Sequence, residues 1–324
     1  MNEPIQDQAS NGNGNGRSQT WEREVLTRLA MSSLHEQRRA RRWRTVFVLL
    51  VLGFFGLFFL ILVSASLSSD RSKGPHTAVV NIDGVISATT EANADAINAS
   101  LKSAFEDNNT KGVILRINSP GGSPVQAGNI FDEIVRMRNE HPNIPVYAVI
   151  EDVGASGGYY IAAGAEKIYA DKASLVGSIG VRMDMFGFTD AIAKLGIERR
   201  LMTAGTKKGL LDPFLPEDDT VKQHLQGLLD QIHQQFINAV KSQRGDRLGE
   251  SEDLFSGLVW SGEESVDLGL VDALGSVAYV AREVIGEEEL RDFTRREDLF
   301  TRLSRDIGTS IVQALEARSW PQLK

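Results

Sequence analysis

A serine within a run of small residues is the first group in the chain that could do chemistry. Ser156 lies in the run GASGGYY (154–160), which follows the apolar stretch PVYAVI (145–150). A serine between a strand and a helix, with small neighbours that admit a carbonyl group, is suited to be a nucleophile. The same position also suits a helix N-cap, for which serine is a favoured residue.

A second run of small residues could stabilise a developing negative charge. The run NSPGGS (118–123) follows the apolar stretch GVILRIN (112–118). Its two glycines allow a sharp turn and a close approach to a bound group. Because parallel strands end at one edge of a sheet, the amides of Gly122 and Gly157 could converge on one oxygen beside Ser156. A simple turn between a strand and a helix is the alternative interpretation.

A serine nucleophile needs a base, and the histidines of this chain are poorly placed to supply one. His35 precedes an apolar segment, His76 lies in a predicted linker, and His141 precedes a proline in a loop. His224 and His233 lie nine residues apart on one polar helix. We expect all five to be surface residues. The absence of cysteine excludes a cysteine nucleophile and thiolate metal sites.

Two adjacent lysines are the next candidates for the base. Lys207 and Lys208 lie in the run AGTKKG (204–209). A lysine accepts a proton only in its neutral form, which burial in a dry pocket favours. An exposed position is the usual one for lysine, and the residues alone do not choose between the two.

The elements that must position these groups alternate between strands and helices. We predict strands at 78–82, 112–118, 145–150 and 167–170, and helices at 92–106, 125–138, 157–165 and 217–244. Strands of continuous apolar residues between helices are typical of a parallel sheet that is covered on both faces. The pattern therefore predicts an α/β domain with right-handed crossovers, which we place at 77–286.

An uncharged segment precedes this domain. Residues 46–67 contain no charge and would form a helix of roughly 33 Å, long enough to cross a bilayer. We predict a transmembrane helix at 45–68 and a linker at 69–76. A cleaved signal peptide is disfavoured, because the apolar run starts late and is long. Five arginines between 38 and 44 predict a cytoplasmic N-terminus and a periplasmic main domain.

Charge and composition limit the partners and define the outer segments. The net charge is −8, although residues 1–45 hold eight arginines and five acidic residues. The main domain is therefore acidic, which argues against nucleic acid as a partner. We predict a disordered tail at 1–20, and a basic helix at 21–44 that lies on the membrane surface or is a solvated lead-in. A C-terminal helical extension at 287–324 contains an amphipathic helix (299–315) that packs on its own domain or on a neighbour.

Several motifs together resemble the SppA family of membrane serine peptidases. They are ASGGYYIA (155–162), NSPGG upstream of it, GSIGV (177–181), and AGTKKGLLDPF (204–214), and they occur in the family's order. The resemblance covers about 78–285. It implies an α/β, crotonase/Clp-protease-like fold, a parallel sheet flanked by helices and preceded by one transmembrane helix.

The resemblance also implies a role for each candidate residue. The family uses a Ser/Lys dyad, so Ser156 would be the nucleophile and Lys208 the base. The AG and PF pairs that bound the last motif both select Lys208, which follows a lysine where the family often has tyrosine. Ser178 would orient the lysine, and the N–H groups of Gly122 and Gly157 would form the oxyanion hole.

The expected reaction and assembly follow from the same resemblance. A short form with one core would be a ring-like homo-oligomer at the bacterial inner membrane, with serine and lysine supplied by neighbouring subunits. Its substrates would be cleaved signal peptides and other apolar, unfolded peptides, and hydrolysis would need no metal or cofactor. A crotonase-like enzyme acting on acyl thioesters is disfavoured by the periplasmic site. An inactive scaffold is disfavoured by the joint presence of Ser156, Ser178 and Lys208.

Overall fold

The structure, a computed structural model, describes residues 42–61 and 74–295. The chain divides into two units, Met1–Arg71 and Ser72–Lys324. In the first unit, helix α1 (Arg42–Ile61) has 20 residues and a mean hydropathy of 2.5. By length and composition it could cross a membrane. Several predicted segments lie outside the described residues, wholly or in large part: the tail (1–20), the basic helix (21–44), the linker (69–76) and the amphipathic helix (299–315).

The second unit is built on a mostly parallel sheet of eight strands within the described residues. The strands are β1 (His76–Asp83), β2 (Thr110–Ser119), β3 (Val146–Ala155), β4 (Lys167–Ala170), β5 (Leu175–Gly177), β6 (Val259–Ser261), β7 (Ala273–Leu274) and β8 (Leu290–Asp292). The main order is β6-β5-β3-β2-β1-β8, and β4 pairs with β3 and β7. Only the β5–β6 pair in this sheet is antiparallel. The predicted parallel α/β sheet is confirmed.

Helices connect these strands and cover the sheet. They are α2 (Ala94–Glu106), α3 (Pro124–Glu140), α4 (Gly157–Ala163), α5 (Thr189–Lys194), α6 (Asp219–Arg244), α7 (Gly262–Asp267) and α8 (Val277–Tyr279), which continues as a π-helical turn (Val280–Ile285). Short 3-10 turns lie at Gly245–Arg247 and Glu252–Phe255. On α2, the buried residues Ile97, Leu101, Ala104 and Phe105 recur with the helical period, which explains why one face packs on the sheet.

The two faces of the sheet carry cores of different size. The larger core contains Val80, Leu115 and Ala148 from the strands, together with the buried faces of α2, α3, α4 and α6. The smaller core contains Ile114, Tyr147 and Tyr169, and residues from Ala273 to Ile285 pack against it. Burial on both faces explains why the central strands read as continuous apolar runs.

Three features differ from the sequence-based expectation. The sheet continues past residue 286, because β8 pairs with β1. Strands β5 and β6 were not predicted, since three residues carry too little pattern. His76 is fully buried, so its expected surface position in a linker is wrong. Its ring stacks on Phe293 with centroids 5.6 Å apart and lies 3.3 Å from the hydroxyl of Thr110.

A long connection joins β5 to α6, and we call its residues 181–218 the lysine segment. It contains α5, none of whose residues is buried. Arg199 forms an ion pair with Asp212 at 2.8 Å, and the N–H of Phe188 donates to the carbonyl of Pro213 at 2.7 Å. These contacts tie one half of the segment to the other.

Candidate active site

Ser156 stands between β3 and α4 in an unusual backbone conformation. Its φ is 52° and its ψ is −122°, and its side chain makes no capping hydrogen bond to the helix that follows. Ser156 therefore occupies the N-cap position, but its side chain does not cap the helix. Ser156 and Ser178 are the two non-glycine residues with positive φ in the described part of the chain. Strained backbone of this kind persists where the surroundings enforce it, and it clusters at functional sites.

Helix α4 fixes the position of Ser156 from the C-terminal side. Tyr159 is fully buried, and its hydroxyl donates to the carbonyl of Leu270 at 2.8 Å. Burial raises the pKa of Tyr159, so the hydroxyl stays protonated and keeps donating. The ring of Tyr160 stacks on Phe236 of α6 with centroids 4.6 Å apart. Packing on two sides therefore holds the first turn of α4 in place.

The glycine turn after β2 lies directly against Ser156. A methyl group on Gly121 would be 2.7 Å from both the nitrogen of Gly157 and the Cβ of Ser156. A methyl group on Gly157 would be 3.3 Å from the nitrogen of Gly122. The amides of Gly122 and Gly157 are thus neighbours, and neither donates a backbone hydrogen bond within the described residues. Two free amides beside a serine can bind one oxyanion.

Ser178 is joined to Ser156 through the backbone. The N–H of Ser156 donates to the carbonyl of Gly177 at 2.8 Å, and the N–H of Ser178 donates to the carbonyl of Leu258 at 2.7 Å. Ser178 is half-buried at the end of β5. The structure therefore brings four of the five predicted site residues together: Ser156, Ser178, Gly122 and Gly157.

The two lysines of the lysine segment differ in their partners. The amine of Lys207 forms an ion pair with Asp218 and donates to the hydroxyl of Thr220 at 2.8 Å. The hydrogen bond from Lys207 is the largest of several that hold the pKa of Asp218 far below its usual range. Lys208 is exposed, and its side chain has no hydrogen bond or ion pair to any residue that the structure describes. Of these two lysines, Lys208 is therefore the one with an uncommitted amine.

Within the described residues, no contact is found between Lys208 and Ser156, Ser178 or the two glycine amides. The groove that Lys208 lines is formed by residues between 192 and 214, and Ser156 is not among them. Large apolar side chains of the same segment face solvent: Phe186 is 77% exposed, Leu195 73% and Met202 96%. Exposed apolar side chains clustered in this way mark a surface that binds another protein or a membrane.

The described histidines make contacts with groups other than Ser156. The ring of His233 is 3.0 Å from the carbonyl of Ile179, and the ring of His141 packs on Phe105. None of the hydrogen bonds found for the described histidines involves Ser156.

Two further groups at the site were not found from the sequence. Ser119 is fully buried and binds the glycine turn, and the backbone of Ile86 pairs with Gly121 and Ser123. Ser119 stands inside the motif NSPGG, so its position was a usable signal. Ile86 acts through its backbone, which no residue pattern reveals.

Comparison with known proteins agrees with the class that this fold defines, an α/β protein of the Clp-protease type. Peptidase family S49 matches residues 138–291. A putative signal peptide peptidase SppA from Enterococcus faecium is 30% identical over 223 residues, which cover 66% of this chain and 64% of that protein. Protease 4 from Haemophilus influenzae is 30% identical over 245 residues, which cover 74% of this chain and 39% of that protein. The chain therefore contains a peptidase family S49 domain and is similar to SppA-type proteases.

One further relative is named as an ion antiporter and not as a protease. The Na(+)/H(+) antiporter NhaA of Brucella melitensis is 45% identical over 188 residues, which cover 58% of this chain and 25% of that protein. The matched stretch is thus a quarter of that relative. In the described part of this chain, one helix is long and apolar enough to cross a membrane.

Proposed function

We propose that this chain is a membrane-anchored serine endopeptidase in which Ser156 is the nucleophile and Lys208 the general base. The observation that carries the proposal is the strained serine beside two free glycine amides. A structural serine does not require this combination, whereas acyl transfer requires both a nucleophile and an oxyanion site.

The reaction follows from these groups. The hydroxyl oxygen of Ser156 attacks a peptide carbonyl carbon while neutral Lys208 takes the hydroxyl proton. The carbonyl oxygen becomes an oxyanion that accepts hydrogen bonds from the N–H groups of Gly122 and Gly157. Lys208 then gives the proton to the leaving amine, and an acyl-enzyme remains. Water, deprotonated by Lys208, releases the acyl group and restores the serine.

The partners of the two lysines support Lys208 as the base. The amine of Lys207 is already occupied, because it forms an ion pair with Asp218 and donates to the hydroxyl of Thr220. Lys208 has no such partner in the described chain, so desolvation by a covering surface would favour its neutral form. Ser178, half-buried beside Ser156, would orient the incoming amine.

A neighbouring subunit would complete the dyad. Lys208 lies on a segment whose apolar side chains face solvent, while Ser156 lies in the packed body of the same chain. Placing the lysine segment of one subunit over the serine of the next would bury these side chains and desolvate the amine together. Repetition of this head-to-tail contact closes a ring when the rotation permits, which agrees with a homo-oligomeric ring.

The substrates and the location of the site follow from the anchor and from the relatives. Helix α1 would hold the chain in the inner membrane, with the arginine-rich side in the cytoplasm and the peptidase domain in the periplasm. Tethering would raise the local concentration of peptides released in the bilayer. Remnant signal peptides and other apolar, unfolded peptides are therefore the proposed substrates, consistent with the name of the Enterococcus relative.

Covalent labelling tests the nucleophile. Full-length protein in detergent is treated with a fluorophosphonate, and the modified residue is identified by mass spectrometry. We expect one adduct, at Ser156, and neither adduct nor peptide hydrolysis in Ser156→Ala. A labelled residue elsewhere, or undiminished hydrolysis by a folded Ser156→Ala variant, would overturn the proposal. Ser100→Ala, which changes a buried serine on α2, is the control and should label normally.

A further inference from the structure

A short loop after β1 lies against the glycine turn beside Ser156. The N–H of Gly84 donates to the carbonyl of Asn118 at 2.9 Å, and the N–H of Ile86 donates to the carbonyl of Gly121 at 2.9 Å. The carbonyl of Ile86 accepts from the N–H of Ser123 at 2.8 Å. Loop 84–86 is therefore joined to the turn by an isolated parallel β-bridge between Ile86 and Gly122.

The side chain of Ser119 adds two bonds to this pairing. Its hydroxyl donates to the carbonyl of Gly84 at 2.6 Å and accepts from the N–H of Gly121 at 3.1 Å. Ser119 is fully buried, so water cannot replace either bond to its side chain. The hydroxyl of Ser119 thus links the carbonyl of Gly84, in loop 84–86, to the N–H of Gly121 in the glycine turn.

These bonds fix the orientation of the peptide that links Gly121 to Gly122. In a trans peptide the C=O and the N–H point in opposite directions. Because the carbonyl of Gly121 points to Ile86, the N–H of Gly122 points to the opposite side. Gly157 lies close to this nitrogen, since a methyl group on Gly157 would be 3.3 Å from it.

The backbone that carries the second amide donor, the N–H of Gly157, also packs against Ser119. A methyl group on Gly158 would lie 2.8 Å from the carbonyl oxygen and 3.3 Å from the Cβ of Ser119. The start of α4 therefore packs against the residue that holds the glycine turn. Ser119 contacts both backbone stretches that carry the free amides.

We propose that Ser119 and the backbone of Ile86 are positioning groups that set the Gly121–Gly122 peptide in the orientation that binds the oxyanion. The inference rests on the proposed function, in which Gly122 and Gly157 are the oxyanion donors. Without the Ser119 hydroxyl, the N–H of Gly121 and the carbonyl of Gly84 lose their partner, and only the bonds to the backbone of Ile86 oppose a rotation that turns the N–H of Gly122 away from Ser156. A donor that is already oriented costs no reorganisation when the negative charge develops, so the loss falls on the transition state and not on substrate binding.

Ser119→Ala tests the inference against a matched control. Ser100 is also almost fully buried, donates to the carbonyl of Ala96 at 2.7 Å and accepts from the N–H of Arg295 at 2.8 Å. Both variants lose the same two kinds of hydrogen bond. We expect Ser119→Ala to lower kcat by about 10- to 100-fold with KM within about two-fold of the wild type, because a misdirected donor affects only the transition state. Ser100→Ala should keep the wild-type kcat.

A peptide aldehyde separates positioning from general loss of structure. Its tetrahedral adduct with Ser156 carries an oxygen where the oxyanion forms, so its inhibition constant should rise by the same factor by which kcat/KM falls in Ser119→Ala. Ser119→Cys keeps a weak hydrogen-bond donor in a similar volume and should give a kcat between those of the wild type and Ser119→Ala. If Ser119→Ala does not fold, the kcat of Ser119→Cys tests the positioning role instead.

The outcomes distinguish this inference from the proposed function. Wild-type kcat in a folded Ser119→Ala variant, or an equal loss in Ser100→Ala, overturns the positioning role while the peptidase stands. A wild-type protein that neither hydrolyses peptides nor takes the fluorophosphonate at Ser156 overturns the proposed function and this inference together.

Discussion

The two regions that carry the candidate dyad differ in how completely one chain builds them. Around Ser156, Tyr159 is fully buried, and backbone hydrogen bonds hold Ser178 and the two neighbours of Gly122, which are Gly121 and Ser123. Around Lys208, the lysine segment is held by its own Arg199–Asp212 pair while Met202 is 96% exposed. The contrast is that the described chain packs the surroundings of Ser156 and leaves Lys208 exposed. Under the proposed function, the lysine side of the site would need a further surface to become dry.

The energetics of this contrast favour assembly. Burial of one large apolar side chain contributes about 1.5–3 kcal/mol. The lysine segment exposes Phe186, Leu195 and Met202 together, so covering them would supply several kcal/mol and remove water from Lys208 in the same step. Assembly and activation of the base would thus be one event.

The largest expected effect is the loss of the base. Lys208→Ala should lower kcat by at least about 10³-fold, because a serine without a base is a weak nucleophile. Lys207→Ala is the matched control: it removes the neighbouring amine, whose partners are Asp218 and Thr220, and should retain most of the activity. Initial rates on an unfolded apolar peptide compare the variants. A loss in Lys207→Ala that equals the loss in Lys208→Ala would contradict the assignment.

An intermediate effect is expected on the surface that surrounds the base. Met202→Lys places a charge on the most exposed apolar side chain of the lysine segment, so burial against a neighbour becomes costly. We expect a smaller oligomer in sedimentation velocity and a loss of activity of about 10- to 100-fold, with an unchanged circular dichroism spectrum. Leu290→Lys changes an exposed apolar residue of β8 and should alter neither property. Unaltered sedimentation of Met202→Lys would argue that this surface is not an interface.

The smallest effect on activity is expected in the body, at a buried ion pair. Arg244 is almost fully buried and bonds Asp272 at 2.6 Å. Burial alone would raise the pKa of Asp272, but hydrogen bonds from Arg244 and from the N–H of Ile168 outweigh it and hold the pKa below its usual value. A carboxylate whose pKa is lowered in the folded state stabilises the fold above its unfolded pKa of about 3.9, and this stability is lost as the pH falls through the folded value.

Asp272→Asn should therefore destabilise the fold by up to about 3 kcal/mol at pH 7, with less difference at acidic pH, and leave kcat unchanged. Urea unfolding at pH 7 and at about pH 3 measures both differences. Asp246→Asn, at an exposed position in the turn after α6, is the control and should leave both midpoints unchanged. Equal destabilisation at the two pH values would mean that the charge of Asp272 does not stabilise the fold.

Much of the body could be predicted from the sequence, because its signals are local. The run 112–118 is apolar enough to indicate a buried parallel strand, and the structure extends it only to Thr110–Ser119. The small residues around Ser156 and in NSPGG, placed after neighbouring strands, were sufficient to expect Gly122 and Gly157 beside Ser156. The strain at Ser178 could not be foreseen, since it depends on how β5 meets the chain at Leu258.

The lysine segment could not be predicted as well, for a physical reason. Its apolar residues follow neither helical nor strand periodicity, because they have no core of their own chain to face. Ile86 was equally hidden, since its contribution comes from backbone groups that every residue carries. Position in the motif selected Lys208, but only the structure showed that Lys207 already has partners.

Mixing two inactive variants tests the division of the site most directly. Ser156→Ala subunits keep the lysine and Lys208→Ala subunits keep the serine, so each protein alone should be inactive. After the two are dissociated together and reassembled at equal amounts, about a quarter of the subunit contacts in a random ring should pair an intact serine with an intact lysine, and hydrolysis should return. Mixed rings that are shown to form and yet remain inactive would contradict a dyad built from two subunits.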